Sequence, residues 1–134
     1  MSDRFKFRVY IKYAKMICSD VNSFYIDRIK NKITIHFDDH TKTFKFDDVV
    51  LEQSSGLKDK NGKLIYENDI IDTPNGIYRV AVDDFGLWTA IYKGNPLKDV
   101  VEWSDIVKNY AFNKENVEIV IFGNIHQDKE LLDD

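Results

Sequence analysis

The sequence contains one cysteine, two prolines and six glycines in 134 residues, and alanine is scarce. Cys18 has no second thiol in the chain to pair with, so no intramolecular disulfide can form and a reducing compartment fits. The P-loop, GxSxG, HExxH and CxxC patterns are missing. That removes the sequence case for phosphate-loop nucleotide binding, serine hydrolysis, zinc proteolysis and dithiol chemistry. No apolar run approaches the roughly 18 residues that a membrane-spanning helix needs. The charged opening "MSDRFKFRVY" lacks the apolar stretch of a signal peptide. Internal repeats, low-complexity tracts and flexible linkers are also lacking. So is a basic field: 19 Lys and Arg stand against 23 Asp and Glu, for a net charge of −4, which weighs against a dedicated duplex-DNA binder. The expectation is a soluble, cytoplasmic protein folded as one domain over 1–134, with sub-lobes over 1–54 and 55–134.

What is present favours β structure. Aromatic residues make up 13% of the chain, and Ile and Val are frequent; such side chains suit a pleated, half-buried surface. "FKFRVYIK" alternates with period two, placing Phe5, Phe7, Val9 and Ile11 on one face and Lys6, Arg8, Tyr10 and Lys12 on the other. "MICSDVNSFYIDRI" reads as two apolar pieces about a turn at Ser19 to Ser23. "KITIHF" and "KTFKF" alternate again around the polar "DDHT", a hairpin with Ile33, Ile35 and Phe37 on one face and Phe44 and Phe46 inward. "VVLEQ" reads as a short strand. "IYRVAV" and "LWTAIY" form two more, joined by "DDFG", with either Leu87, Thr89 and Ile91 or Trp88, Ala90 and Tyr92 inward. Trp103, Ile106, Val107 and Tyr110 lie at helical spacing and predict a short helix over Asp99 to Tyr110, capped by Ser104 or Asp99. "NVEIVIFGNI" reads as a central, buried strand. The tail "HQDKELLDD" reads as a helical turn that docks Leu131 and Leu132. The expected core is Phe5, Phe7, Val9, Ile33, Ile35, Phe44, Ile65, Ile70, Val80, Val82, Ile119 and Ile121.

Four features invite a chemical reading. In "HFDDH", a strand running straight through would project His36, Asp38 and His40 from one face, the ligand set of a facial-triad iron site. The loop composition and the returning "KTFKF" favour a hairpin loop instead. Arg4, Lys6, Arg8, Tyr10 and Lys12 make a basic, aromatic strand face of the kind that binds single-stranded nucleic acid, although lysines also commonly blunt edge strands. "DDFG" contains the kinase magnesium tripeptide without any other kinase element, so it reads as a turn. In "GLKDKNGKLIYENDII", the spacing from Asp59 fails the calcium-loop pattern. Turn chemistry fits better: Asp59 accepts local N–H bonds, and Asn61 and Gly62 tolerate the left-handed region. A second turn places Asn68 at positive φ and leaves Asp69 to accept backbone N–H bonds. No cofactor and no resident metal are expected.

That last stretch carries a resemblance. "SGLKDKNGKLIYENDII", Ser55 to Ile71, resembles the central signature of the YopX-like family of phage and prophage proteins. "FKFRVYIKYAKMI" and "VEIVIFGNIHQDKELL" are similar to that family's opening and closing blocks, and the three occur in the family's order. Asn68 stands where the family usually has Gly, in keeping with a position that needs φ above zero. The resemblance implies a phage or prophage origin, a mostly β fold with a partly open small barrel, and no established active residue. The combined expectation is a mostly β chain: a small, partly open SH3-like barrel from Gly56 onward, packed N-terminal strands and one short helix. Its function would be non-enzymatic, through binding an unknown host or phage macromolecule or through self-assembly as a homo-oligomer. Single-stranded nucleic-acid binding is the alternative, and a metal enzyme built on His36, Asp38 and His40 the more distant one.

Overall fold

The computed structural model describes residues 6–93, 100–113 and 115–132. By its contacts the chain divides into two units, Met1–Gly56 and Leu57–Asp134. Among the described residues the first is built from strands β1 (Phe7–Ile11), β2 (Met16–Asp27), β3 (Lys32–Phe37), β4 (Thr41–Lys45) and the start of β5 (Val49–Lys58), with a 3₁₀ turn at Phe46–Asp48. Their order in the sheet is β4-β3-β2-β1-β5, every neighbour antiparallel.

The alternation in β1 and β3 builds the core of this unit. Val9, Ile33 and Ile35 are fully buried, joined by Ile11, Phe37, Phe44 and Val49. A buried Ile or Val of this kind is worth about 1.5–3 kcal/mol relative to exposure. Ser19 to Ser23 is not a turn. It lies inside β2, where the register slips once against β1 and once against β3. Each slip inserts one extra β2 residue, and such bulges bend and twist a strand without ending it. The polar residues that read as a turn mark that irregularity. Strand β5 also runs on past "VVLEQ" through Ser54, Ser55 and Gly56 to Lys58.

In the second unit β6 (Leu64–Tyr66) folds back on the end of β5 through the turn at Asp59–Lys63. Strands β7 (Asp69–Thr73), β8 (Gly76–Val82), β9 (Trp88–Tyr92), β10 (Val100–Glu102) and β11 (Val120–Asn124) form a second antiparallel sheet ordered β10-β9-β8-β7-β11. Helix α1 (Trp103–Tyr110) packs its apolar stripe, Trp103, Ile106 and Tyr110, into a core with Ile65, Ile71, Val80, Ala90 and Ile119. In β9, Ala90 is fully buried and Trp88 packs on this core, whereas Leu87 is 63% exposed. That selects the Trp88 and Ala90 face.

Several expectations change here. The helix begins at Trp103 because Val100–Glu102 pairs with β9 as a strand. Ser104 therefore lies inside the first turn and Glu102 takes the cap position, without a side-chain capping bond. Strand β11 is an outer strand of its sheet rather than a central one, and only Ile119 just before it is fully buried. Phe7, Val82 and Ile121 are half-buried, and Phe46, in the 3₁₀ turn beyond β4, is 41% exposed rather than inward. Phe5 and Asp99 lie outside the described residues. The tail makes a 3₁₀ turn over Lys129–Leu132 with both leucines half-buried. Among the described residues no helix is long and apolar enough to cross a membrane.

Candidate functional site

The stretch from Gly56 to Ile71 is a set of turns whose polar side chains point back at the backbone. Asp59 is 4% exposed. Its Oδ1 accepts the N–H groups of Asn61 and Lys63, both at 2.9 Å, and its Oδ2 accepts that of Ile121 at 3.0 Å. Next to it the Lys60 N–H donates to the Ile119 carbonyl at 2.8 Å. One carboxylate thus closes the "DKNG" turn and fastens the segment entering β11 to it. Gly62 completes the turn at φ 81° with nothing within 4 Å of where a Cβ would stand, so backbone conformation and not space selects glycine.

The second turn follows the same logic. Asn68 has φ 68°. Its N–H donates to the Val80 carbonyl at 2.7 Å, its carbonyl accepts from the Ile125 N–H at 2.9 Å, and its Oδ1 accepts from Arg79 Nη2 at 2.9 Å. Asp69 is 2% exposed and accepts the Tyr66 N–H at 2.9 Å. Buried carboxylates held by backbone donors satisfy those donors and are themselves satisfied. This arrangement serves the fold, because each oxygen described is already committed to holding a turn.

A third clasp, at Asn124, carries no sequence expectation. Its Oδ1 accepts the N–H groups of His126 and Gln127 at 3.0 and 3.1 Å, while its own N–H donates to Asp128 Oδ2 at 3.2 Å. A Cβ on Gly123 would lie 2.6 Å from that same Asp128 oxygen, so the close approach requires glycine. The "GN" pair with Asp four residues on is the signal that could have located it.

The three candidate metal ligands are not brought together. Strand β3 ends at Phe37, and Asp38 to His40 form the loop closed by the Phe37 N–H to His40 carbonyl bond at 2.7 Å. His36 stays on β3 with Nδ1 2.9 Å from Thr41 Oγ1. His40 stacks on Phe37 with centroids 4.8 Å apart, and its Nδ1 lies 2.5 Å from Asp39 Oδ1. That imidazole lowers the pKa of Asp39, first by the hydrogen bond and then by its charge. Among the described residues no group of three ligating side chains could hold a metal ion.

The basic face of β1 is also redrawn. Arg8 shares a face with Lys6, Tyr10 and Lys12, as alternation requires, but it is 7% exposed and pairs through Nε with Oε1 of the fully buried Glu52 at 2.8 Å. The two are direct cross-strand partners. A guanidinium committed to a buried carboxylate is not presented to a phosphate. Lys6 and Lys12 are exposed, Tyr10 is half-buried, and Arg4 lies outside the described residues.

The first unit also carries an open groove of about 340 Å³, lined by Tyr13, Met16, Cys18, Phe37, His40, Lys42 and Phe44 among others. Tyr13 and Met16 stand at its lip, 62% and 53% exposed. Lys42 Nζ donates to Tyr13 Oη at 3.2 Å and lies 5.1 Å from the centroid of Phe44. Burial, and secondarily the charge of Asp20, raises the pKa of Cys18, so the thiol stays protonated at neutral pH and is a poor nucleophile. The groove offers apolar and aromatic contact.

Among curated proteins none matches the chain. Among solved structures, the crystal structure of protein EF1440 from Enterococcus faecalis is similar, with 25% sequence identity and a TM-score of 0.58 over 96% of this chain and 97% of that one. The family described as YopX protein matches residues 6–133, which takes in all three clasps and both sheets; the chain belongs to the YopX protein family.

Proposed function

We propose that this chain is a non-enzymatic accessory protein of a phage or prophage, working in the bacterial cytoplasm by binding another macromolecule or by self-assembly. The observation that carries the reading is the aromatic-lipped groove of the first unit, with Tyr13 and Met16 held at its rim. An apolar hollow rimmed by exposed side chains is the form of a contact surface. The outer position of β4 in its sheet adds an edge that could accept a further strand. The phage origin comes from the likeness of the three sequence blocks. We read the second unit, with its five antiparallel strands around Ile65, Ile71 and Val80, as a partly open SH3-like barrel, and the whole chain as one family domain. An experimentally determined structure of the second unit would test the barrel.

The functional test is sedimentation velocity over a range of concentrations, combined with a pull-down of tagged full-length chain from host lysate. A defined oligomer or a stoichiometric partner is expected. A strictly monomeric chain that retains no partner overturns the reading.

A further inference from the structure

The two units differ in charge. Residues 1–56 hold ten basic and eight acidic side chains, whereas residues 57–134 hold nine and fifteen. The overall acidity therefore belongs to the second unit, and the first is mildly basic. Four of its ten cations gather at one place. The β2–β3 turn and the adjoining strand ends carry Arg28, Lys30, Lys32 and Lys45, and Lys32 and Lys45 are direct cross-strand partners. None of these four is ion-paired among the described residues. The neighbouring carboxylates serve the turn: Asp27 Oδ1 accepts the N–H groups of Ile29 and Lys30, both at 3.1 Å, and Asp47 accepts from Asn31 Nδ2 at 3.2 Å.

These cations lie at the end of a polar sheet face. Opposite the buried Ile33, Ile35 and Phe44, register places Ser23, Tyr25 and Asp27 on β2 beside His36, Thr34 and Lys32 on β3, and these beside Thr41, Thr43 and Lys45 on β4. Tyr25 is 66% exposed near the middle of one side. Thr34 and Thr43 are hydrogen-bonded across the strands at 2.9 Å. Thr41 engages His36 Nδ1, also at 2.9 Å, which leaves Nε2 for a ligand. The nine positions contain two aromatic rings, two lysines, four serine or threonine hydroxyls and the single carboxylate of Asp27, and no aliphatic side chain.

We propose that this face of β2, β3 and β4 binds single-stranded nucleic acid. The proposal rests on reading the chain as a macromolecule-binding protein and names the partner class. A protein interface centres on an apolar core, and apart from the Tyr25 ring this grid offers no apolar side chain to build one. Unstacked bases need only ring faces, hydroxyls and cations for the phosphates, and the grid supplies each. Duplex DNA fits poorly, since this three-stranded face presents no helix or two-stranded ribbon to enter a groove. The residues of this patch are also distinct from the β1 residues that first suggested nucleic-acid binding, where Arg8 is committed to Glu52.

The test is fluorescence anisotropy of the full-length chain with labelled dT12 and rU12 at several salt concentrations. Binding should weaken with salt at a log–log slope of about −2 to −3, the value for four phosphates on a single strand. Tyr25→Ala should weaken it about tenfold, and Tyr25→Phe should retain it. The pair Lys32→Glu and Lys45→Glu should weaken it more and flatten the slope. Lys12→Glu on β1 should leave it unchanged. Circular dichroism and thermal melting show that each variant is folded. No wild-type binding at low salt overturns the site, as does loss with Lys12→Glu equal to that of the lysine pair. If oligonucleotides fail but a partner from host lysate survives nuclease treatment, this site is wrong while the broader reading stands. If both fail, both fall.

Discussion

The two units solve the same problem with different devices. The first buries one face of a sheet and holds a charge pair, Arg8 with Glu52, within its β1–β5 ladder. The second adds an amphipathic helix to its core and secures its turns with buried side chains that accept backbone N–H groups: Asp59, Asp69 and Asn124. A buried ion pair stabilises little against an apolar substitute but is costly to break from one side. A carboxylate clasp satisfies donors that would otherwise be orphaned, so its loss is felt wherever those donors are dry. The first device depends on its partner and the second on the geometry of a turn.

Substitutions should separate the two. Glu52→Ala leaves the Arg8 guanidinium buried without its carboxylate and should cost about 3–5 kcal/mol, measured by urea unfolding. The double variant Arg8→Met, Glu52→Leu should recover most of that. If it recovers nothing, the pair does more than balance charge. Asp59→Ala should cost about 2–4 kcal/mol through the donors it orphans, and Asp59→Asn clearly less, since one acceptor oxygen remains. Equal losses for these two would show that charge rather than hydrogen bonding is what the turn needs. Gly123→Ala should cost about 1–3 kcal/mol by forcing Asp128 aside. Asn68→Ala should cost about 1–2 kcal/mol more than Asn68→Gly for the left-handed backbone, both variants losing the bond from Arg79.

The smallest effect concerns the exposed Asp39–His40 contact. The pKa of Asp39 is depressed in the folded chain, so its contribution is present above the ordinary aspartate pKa of about 3.9. It is lost as pH falls through the lower folded value. Asp39→Asn should therefore lower the melting temperature only slightly, at pH values above about 4, and the difference from wild type should close as the pH falls below that. A large change at neutral pH would mean that the loop has another role.

Much of the fold was legible because its signals are local. Alternation in β1, β3 and β8 and the helical spacing of Trp103, Ile106 and Tyr110 each require only neighbouring residues. The asparagine–glycine pair at 61–62 reads as a turn and forms one. The misreadings share one cause. Polar residues at Ser19 to Ser23 resemble a turn, but a bulge uses the same residues, and pairing on both sides of β2 decides between them. The apolar run before Gly123 resembles a central strand, but strand order is not written in hydropathy. Arg8 alternates onto a polar face, and only the alignment of β1 with β5 shows that Glu52 lies opposite.

The candidate binding face follows the same division. Its residues, Tyr25, Lys32, His36 and Lys45, attract no attention singly, because they are spread over three strands and occupy ordinary polar positions. The sequence alone determined the strands, the turn chemistry and the family, since dihedral preference and side-chain period act over a few residues. Tertiary structure decided which polar groups were consumed and which were left facing solvent. Burial and pairing arise between residues far apart in the chain, and no local pattern encodes them.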